Sequence, residues 1–337
     1  KQGGNSMKTA FICNNQDNVN RVYGAGRKER IAQVSDLVEG LITEDNFEQR
    51  SDELKDVEAI FSTWGMPLLS EEKLNCMPKL RAVLYAAGSV KNFAEPMLKR
   101  GIQVVSAWAA NAYPVAEFTL SQILLSNKGY FRNLRSYKSK ETYKSWGQPA
   151  PKGNFGEAVA ILGAGQVGRL VMDMLKPHTL KVLVYDPYLS EDAAESMGAK
   201  KVSLEEAFAQ AYTVSNHMPD LPETKHIING KLLASMREGA SFINTGRGAT
   251  IKEDELIEVF KARPDLTALL DVTMPEPPEN DSALYTLPNV LLSSHIAGAL
   301  GDEVIRMSDC MIEEFIRLKE GQPLRYAISL EKLKIMA

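Results

Sequence analysis

Short apolar runs alternate with helix-like spacing along the first hundred residues of the chain. Apolar residues three and four positions apart predict helices at 69–77 and 94–100, because this spacing aligns one helix face. Four buried strands are predicted around them, at TAFICN (9–14), VEAIFST (57–63), LRAVLYA (80–86) and IQVVSA (102–107). Strands separated by helices usually pair in parallel with both faces covered, so this part predicts an α/β domain.

The remainder of the chain continues the alternation after a longer helix. A one-sided apolar pattern predicts that helix at about 113–140, with Pro114 at its first position, followed by a loop at 146–156. A final amphipathic helix is predicted at 302–319. Six strands are predicted between the two helices, at AVAIL (158–162), KVLVYD (181–186), AYTVSN (211–216), SFINT (241–245), TALLDV (267–272) and NVLLSS (289–294). Six such strands make a complete dinucleotide-binding sheet.

Composition narrows the class of protein without adding a site. The 337 residues suffice for about two domains. Lys and Arg number 39 against 43 Asp and Glu, and this net charge of −4 gives no reason to expect binding to nucleic acid or to a membrane. No apolar run has the length of a membrane span. Three distant cysteines without a C-x-x-C motif predict neither a metal site nor disulfides, and favour a reducing cytoplasm.

The stretch AILGAGQVGRL (160–170) has the pattern G-x-G-x-x-G between a predicted strand and a predicted helix. Gly163 is expected to form the tight turn, Gly165 to let a diphosphate approach the backbone, and Gly168 to let the helix pack on the strand. Asp186 ends the next strand, 23 positions after Gly163, where a carboxylate can bind a ribose diol and repel a 2′-phosphate. We therefore predict NAD rather than NADP, with a ligand-free structural turn as the alternative.

Three polar residues follow the last three predicted strands. Arg247 comes after FINTG, Glu276 after LLDVTMP and His295 after VLLSS, so all three are expected at the sheet edge that carries the glycine loop. An imidazole can donate a proton to a keto oxygen as hydride arrives, and a carboxylate beside it stabilises the protonated ring. A guanidinium can hold a substrate carboxylate at two points. The other histidines are interpreted as structural or solvated: His178, His217 and His226.

These stretches, in this order and spacing, resemble the D-isomer-specific 2-hydroxyacid dehydrogenase family over nearly the whole chain. The resemblance is carried by VAILGAGQVGRL, NHMPDLPETKHIIN, FINTGRGATIKEDEL, ALLDVTMPEP and NVLLSSHIAGA. It implies two domains with Rossmann-like or flavodoxin-like parallel sheets. An NAD-binding domain at 111–299 is expected to be inserted into a discontinuous substrate domain at 7–110 and 300–332, with the helix at 113–140 linking the two. It also implies a homodimer that acts on a small 2-keto or 2-hydroxy acid without a metal.

Site residues follow from matching positions. The resemblance implies that Arg247 binds the substrate carboxylate and carbonyl, that His295 is the acid/base and that Glu276 is its partner. Asp271 is expected to meet the nicotinamide carboxamide. The full set of expected cofactor contacts is Gly163, Gly165, Gln166, Val167, Gly168, Asp186, His217, Pro219, Thr224, Thr245, Gly246 and Asp271.

Substrate contacts are expected in the first domain. In the loop AAGSVKNF (86–93), which departs from the family pattern, backbone amides of Gly88, Ser89 and Val90 could hold a carboxylate. Lys91 either recognises an anionic substrate or faces solvent. Trp64, at the end of a predicted strand, either accepts an apolar or sugar-like tail or packs the domain.

The predicted activity is hydride transfer between NAD(H) and a 2-keto acid/D-2-hydroxy acid pair. The alternative is an NAD(H)-sensing regulatory scaffold of the same fold, which would bind the cofactor with negligible turnover. A turnover assay distinguishes the two.

Overall fold

A computed structural model describes residues 6–143 and 149–335 of the chain. The chain divides into two compact units. The first unit comprises Lys1–Asn111 and Ala299–Met336, and the second comprises Ala112–Gly298, so the second is inserted in the sequence of the first. Each unit contains one sheet with helices, which confirms the predicted α/β class.

The first unit contains a six-stranded sheet in the order β13-β5-β4-β3-β1-β2. Its strands are β1 (Lys8–Ile12), β2 (Asp36–Ile42), β3 (Ala59–Ser62), β4 (Ala82–Tyr85), β5 (Gln103–Ser106) and β13 (Ala327–Ile328). The strands pair in parallel except β13, which runs antiparallel to β5. The order of β1 to β5 is flavodoxin-like. The sequence pattern missed β2 because this edge strand exposes Glu39 and Gly40 in its middle, which interrupts the apolar run.

The second unit contains a seven-stranded, fully parallel sheet in the order β12-β11-β10-β9-β6-β7-β8. Its strands are β6 (Ala158–Leu162), β7 (Lys181–Tyr185), β8 (Ala199–Lys201), β9 (Thr213–Asn216), β10 (Ser241–Asn244), β11 (Thr267–Leu270) and β12 (Val290–Leu292). Strands β6 to β11 have the Rossmann order, extended by β12. The prediction of six strands was wrong by one, because β8 has only three residues and two of them are lysines.

Helices connect the strands in both units. Those of the first unit are α1 (Gln16–Val22), α2 (Arg27–Val34), α3 (Ser51–Leu54), α4 (Glu71–Asn75), α5 (Ala94–Lys99), α13 (Ile305–Lys319) and α14 (Leu330–Ile335). Those of the second are α7 (Tyr130–Ser136), α8 (Gln166–Leu175), α9 (Glu191–Ser196), α10 (Leu204–Gln210), α11 (Gly230–Ala234) and α12 (Glu253–Ala262). The unit boundary falls within α6 (Trp108–Asn127).

The long helix predicted at 113–140 is two helices. α6 begins five residues earlier than predicted, so that Pro114 lies inside it rather than at its first position. It ends at Asn127, and α7 starts after Gly129, which has a left-handed φ of 66° that favours glycine. The loop predicted at 146–156 begins outside the described residues, and from residue 149 it contains neither helix nor strand.

Both faces of each sheet are buried. Along β6, Ala160 and Leu162 belong to one apolar cluster, whereas Val159 and Ile161 belong to another. Along β3, Ile60 faces one cluster of the first unit and Phe61 faces the other, where it packs against Phe315 of α13 with ring centroids 5.3 Å apart. Burial on both faces explains why these strands read as continuous apolar runs.

Candidate active site

The strands of the second unit end at the same level. Leu162 pairs with Tyr185 and Asn216, Asn244 pairs with Asn216 and Leu270, and Leu270 pairs with Leu292. Parallel strands place the loops that follow them at one edge of the sheet, where open α/β sheets bind ligands. Six loops therefore start side by side, at Gly163, Asp186, His217, Thr245, Asp271 and Ser293.

Each glycine of the loop after β6 has a separate steric reason. Gly163 has a φ of 93°, and a Cβ there would lie 3.1 Å from the carbonyl carbon of His217. A Cβ on Gly168 would lie 2.0 Å from the carbonyl oxygen of Gly163, so the helix can approach the turn only without a side chain. A Cβ on Gly165 would meet nothing within 4 Å. The space beside Gly165, at the N-terminus of α8, is thus free for a ligand, and a helix N-terminus favours an anionic one.

Asp186 closes this loop from the neighbouring strand. One carboxylate oxygen accepts a hydrogen bond from the backbone N–H of Ala164 (2.8 Å) and the other from that of Tyr188 (2.8 Å). Gln166 and Val167 form the first turn of α8. The glycine loop and the acid predicted to accompany it are therefore in direct contact.

His295 and Glu276 meet at the same edge. The His295 Nδ1 lies 2.6 Å from the Glu276 Oε1, and both side chains are partly exposed, at 54% and 40%. This contact fixes the ring orientation and leaves Nε2 as the ring nitrogen available to a substrate. The geometry is that of an acid/base pair open to solvent on one side.

Asp271 organises the turn that carries His295. It is 3% exposed, and its carboxylate accepts hydrogen bonds from the Ser293 hydroxyl (2.5 Å) and from the N–H groups of Ile296 (2.9 Å) and Ala297 (2.9 Å). Its own carbonyl accepts from the N–H of His295 (2.9 Å). His295 has a φ of 55°, which residues with a side chain rarely adopt, and these bonds hold it there. The contact of Asp271 with a nicotinamide carboxamide stays a prediction.

Arg247 caps the short 3-10 helix Gly248–Thr250, and its guanidinium donates to the carbonyl of Gly246 (2.8 Å). Burial lowers the pKa of Arg247, and the nearby negative charges of Glu276 and Asp220 oppose that shift. A Cβ on Gly248 would lie 2.0 Å from the carbonyl oxygen of Thr273, so the absence of a side chain allows the loops bearing Arg247 and Glu276 to touch.

A buried polar network that the sequence analysis missed holds the Arg247 loop. The Asn216 amide donates to Asn244 Oδ1 and to Thr250 Oγ1, both at 2.9 Å. Asn244 Nδ2 (3.2 Å) and Thr250 Oγ1 (2.7 Å) then donate to the carbonyl of Arg247. All three side chains are fully buried. The available signal was an Asn at the last position of two fully buried strands, β9 and β10.

His217 lies within a second chain of polar side chains. Its Nε2 is 2.9 Å from the Ser215 hydroxyl and its Nδ1 is 3.2 Å from the Thr245 hydroxyl, which in turn lies 3.1 Å from that of Thr119. Burial lowers the pKa of His217 to about 3, so the ring is neutral at physiological pH. It is a structural member of this edge as well as an expected cofactor contact.

We expect His217 to make the protein less stable in acid. Because the pKa of His217 is about 3 in the folded state, the unfolded chain binds a proton at higher pH than the folded chain does. The protein therefore keeps its full stability above the ordinary histidine pKa and loses stability as the pH falls below that ordinary value. The loss should be about 2 kcal/mol between pH 8 and pH 5. Chemical denaturation at the two pH values measures it. His217→Asn should remove most of this slope, whereas His178→Asn should not; equal slopes in the wild type and His217→Asn would contradict the assignment.

The predicted cofactor contacts Pro219 and Thr224 lie in the loop that follows β9. The Thr224 hydroxyl donates to the carbonyl of Pro219 (2.5 Å) and accepts from the N–H of Leu221 (3.0 Å), which closes the turn after His217. Gly246 lies against β9, since a Cβ there would be 3.1 Å from the carbonyl oxygens of Asn216 and Met218. The predicted cofactor residues of this unit therefore line one continuous edge.

The predicted substrate residues lie in the first unit. Gly88, Ser89 and Val90 follow β4, and no described residue accepts a hydrogen bond from their three backbone N–H groups. Trp64 follows β3; it is half-buried against both apolar clusters of the unit, with the Arg21 guanidinium 5.6 Å from its ring centroid. The loop after β4 can therefore accept an anion. The position of Trp64 is explained by its packing within the first unit.

The described residues offer neither a metal site nor a membrane-spanning helix. Within residues 6–143 and 149–335, no group of three His, Cys, Asp or Glu side chains could hold a metal ion. No helix of the same part of the chain has the length and apolar character needed to cross a bilayer.

The sequence of the chain matches a known protein family. The model of the D-isomer specific 2-hydroxyacid dehydrogenase NAD-binding domain matches residues 124–297, about half of the chain. The chain belongs to the D-isomer-specific 2-hydroxyacid dehydrogenase family. The matched segment contains the glycine loop, Arg247, Glu276 and His295, and is an NAD-binding domain.

Relatives in this family have several names. The chain is 30% identical over 293 residues to a D-3-phosphoglycerate dehydrogenase of Methanocaldococcus jannaschii, covering 86% of this chain and 54% of the relative. It is 28% identical to a glyoxylate reductase of Korarchaeum cryptofilum over 84% of this chain and 86% of the relative. The chain thus spans about half the length of the phosphoglycerate dehydrogenases it matches.

Solved structures share the fold. A phosphoglycerate oxidoreductase from Rhizobium etli superimposes with a TM-score of 0.79 at 23% identity, covering 96% of this chain and 97% of that one. Apo D-mandelate dehydrogenase of Rhodotorula graminis gives the same TM-score at 21% identity, covering 96% and 98%. These similarities confirm the predicted two-sheet Rossmann-like architecture.

Proposed function

We propose that the protein is an NAD-dependent dehydrogenase that interconverts a 2-keto acid and a D-2-hydroxy acid. The observation that carries the proposal is the 2.6 Å contact between His295 and Glu276 at the sheet edge that also bears Arg247 and the glycine loop. Residue types that suit acid/base chemistry, carboxylate binding and cofactor binding are contributed to this edge by four separate loops, which supports the proposal.

The cofactor residues fit a dinucleotide. The open space beside Gly165 and the N-terminus of α8 would receive the diphosphate, and the positive end of the helix favours its charge. Asp186 would bind the ribose, which supports NAD over NADP. When bound, the nicotinamide supplies the hydride, while the protein supplies position and charge.

The chain's own residues have distinct tasks in keto acid reduction. Arg247 would bind the substrate carboxylate and polarise the carbonyl, because a guanidinium presents paired donors in one plane. His295 would donate a proton from Nε2 to the carbonyl oxygen, and Glu276, bonded to Nδ1, would hold the ring and stabilise its charged form. In the oxidative direction His295 would accept that proton from the hydroxyl group.

Glycine replacements test the cofactor assignment separately from the fold. Gly165→Ala should leave the melting temperature nearly unchanged but weaken NADH binding about tenfold or more, because the methyl group enters the space of the diphosphate. Gly168→Ala should instead destabilise the protein by about 1–3 kcal/mol or prevent folding, since its Cβ would overlap the Gly163 carbonyl. Thermal unfolding and NADH fluorescence titration report the two effects. Unchanged NADH affinity in Gly165→Ala would refute the proposed diphosphate position.

Turnover decides between an enzyme and a sensor. Purified protein should oxidise NADH with at least one of glyoxylate, hydroxypyruvate, pyruvate or phenylpyruvate. The loss of NADH absorbance measures this reaction. Tight NADH binding without turnover across a wider panel of 2-keto acids would favour the NAD(H)-sensing scaffold instead.

A homodimer and a cytoplasmic location are part of this proposal. Support for the dimer comes from α7 and the segment after it, which expose Tyr130, Leu134 and Tyr137 by 43–49%. Sedimentation equilibrium of the purified protein measures the oligomeric state.

A further inference from the structure

Two tryptophans flank the loop after β4. The sheet order places β4 between β3 and β5. Trp64 follows β3, Gly88 follows β4 and Trp108 follows β5, with the paired strand residues Ser62, Tyr85 and Ser106 in register. The three loops therefore lie side by side at the carboxyl edge of the first sheet, with the loop after β4 in the middle.

Trp108 is connected to the loop after β4 through one hydroxyl group. Its backbone N–H donates to Ser106 Oγ (3.2 Å), and that oxygen lies within hydrogen-bonding distance of the carbonyls of Ala87 (3.0 Å) and Gly88. The loop carbonyls are thereby turned toward Ser106. The backbone N–H groups of Gly88, Ser89 and Val90 have no acceptor among the described residues, so the loop presents free donors next to the start of α6.

A positive charge lies against the Trp108 ring. The ammonium of Lys332 lies 4.3 Å from the centroid of the Trp108 ring, which also makes an edge contact with Tyr326 at 6.0 Å. Lys332 belongs to α14, and its neighbour Leu333 anchors that helix in the apolar cluster that includes Val90. Packing against the aromatic ring holds this charge in place, on a helix that shares an apolar cluster with Val90 of the loop.

Among the described residues, Lys332 has no acidic partner. Burial lowers the pKa of Lys332, and within the described part of the chain no carboxylate forms an ion pair with it. Its sequence neighbour Glu331 has a lowered pKa, caused first by its own backbone N–H and then by the Ser329 hydroxyl, and Lys334 adds a second positive charge to the helix. The N-terminus of α6, which begins at Trp108, adds a positive partial charge. A half-buried cation without a counter-ion suits an anionic ligand.

We propose that Lys332, held against Trp108, binds a second anionic group of the substrate, so that the protein prefers 2-keto acids with a carboxylate or phosphate at the far end. This inference rests on the proposed function. The backbone N–H groups of the loop would bind the first carboxylate, and Lys332 the distal group. Carboxylate and phosphate share the chemistry that Lys332 recognises, and the experiment separates them.

Matched substrate pairs test the proposal. Kinetics of the wild type, Lys332→Met and Lys332→Arg are compared on 2-oxoglutarate against 2-oxopentanoate, and on 3-phosphohydroxypyruvate against hydroxypyruvate. In at least one of these pairs, Lys332→Met should lower kcat/KM about tenfold for the substrate that carries the distal anion. This is the loss expected for one charge-assisted hydrogen bond. The same variant should leave the neutral-tailed members unchanged, because Met can still pack on the indole. Lys332→Arg keeps the positive charge and should keep the preference for the substrate with the distal anion. Lys334→Met is the matched control.

A binding measurement keeps this test independent of turnover. Glutarate and inorganic phosphate are titrated against tryptophan fluorescence in the wild type, Lys332→Met and Trp108→Phe. A saturable change with either anion that both variants lose supports the site and identifies the distal group. No such change, or equal kinetic losses on both members of each pair, overturns the inference. Absence of turnover with every 2-keto acid would refute the proposed function while leaving this binding result to decide the site.

Discussion

Replacing His295 with glutamine should lower kcat for 2-keto acid reduction by about 100- to 10,000-fold, the usual contribution of a general acid. Gln is close in size and can still bond to Glu276, but it cannot deliver a proton to the carbonyl oxygen. NADH affinity should stay within a factor of about two, because the cofactor residues lie on other loops. Stopped-flow or steady-state NADH oxidation measures the rate, and fluorescence titration measures the affinity.

Two companion variants sharpen this result. His178→Gln replaces a histidine outside the sheet edge and should have wild-type kinetics. Glu276→Gln keeps an acceptor for Nδ1 but removes the charge, so its loss in kcat should lie between those of the wild type and His295→Gln. Equal loss of rate and of NADH binding in His295→Gln would mean that this residue shapes the cofactor site rather than the reaction.

Replacing Arg247 with lysine should lower kcat/KM for 2-keto acids by about 30- to 150-fold, which corresponds to about 2–3 kcal/mol for a charged hydrogen bond. Lysine keeps the charge, but it has no planar pair of donors for a carboxylate. Most of the loss should fall on KM, and NADH affinity should not change. Steady-state kinetics with the best substrate of the panel separates the two constants.

The matched control is Arg263→Lys. Arg263 forms a two-point ion pair with Asp265 away from the site edge, with distances of 2.9 and 2.8 Å, so its replacement tests for a general loss of stability. Wild-type kinetics in Arg247→Lys would show that a single positive charge suffices, and would remove the two-point role assigned to this guanidinium.

Most of the parallel core was accessible from sequence because its strands are buried on both faces. Such strands are continuous apolar runs, and the polar residue ending each run marks the functional edge; Arg247, Glu276 and His295 were found in this way. The edge strands β2 and β8 were not, since exposed polar residues interrupt one and the other is very short. The break between α6 and α7 depends on the left-handed backbone of Gly129, which an apolar pattern cannot reveal.

The supporting shell of the candidate site was harder to predict than its reactive side chains. Asn216 and Asn244 act on Arg247 only through its backbone, and Asp271 acts on His295 only through the turn they share. Lys332 is distant from Trp108 in sequence, and only the packing of α14 brings them together. Residue type and spacing identify chemistry, whereas these contacts depend on the folded chain.

The level ending of the parallel strands has a consequence for how this protein can change. One residue added to β11 would displace every downstream group by about 3.3 Å and reverse which face each side chain occupies. His295 depends on Asp271 at the end of that strand, so such an insertion would misplace the proton donor even though no reactive group had been altered. Homologous chains that keep this chemistry should therefore vary freely in loop length but conserve strand length.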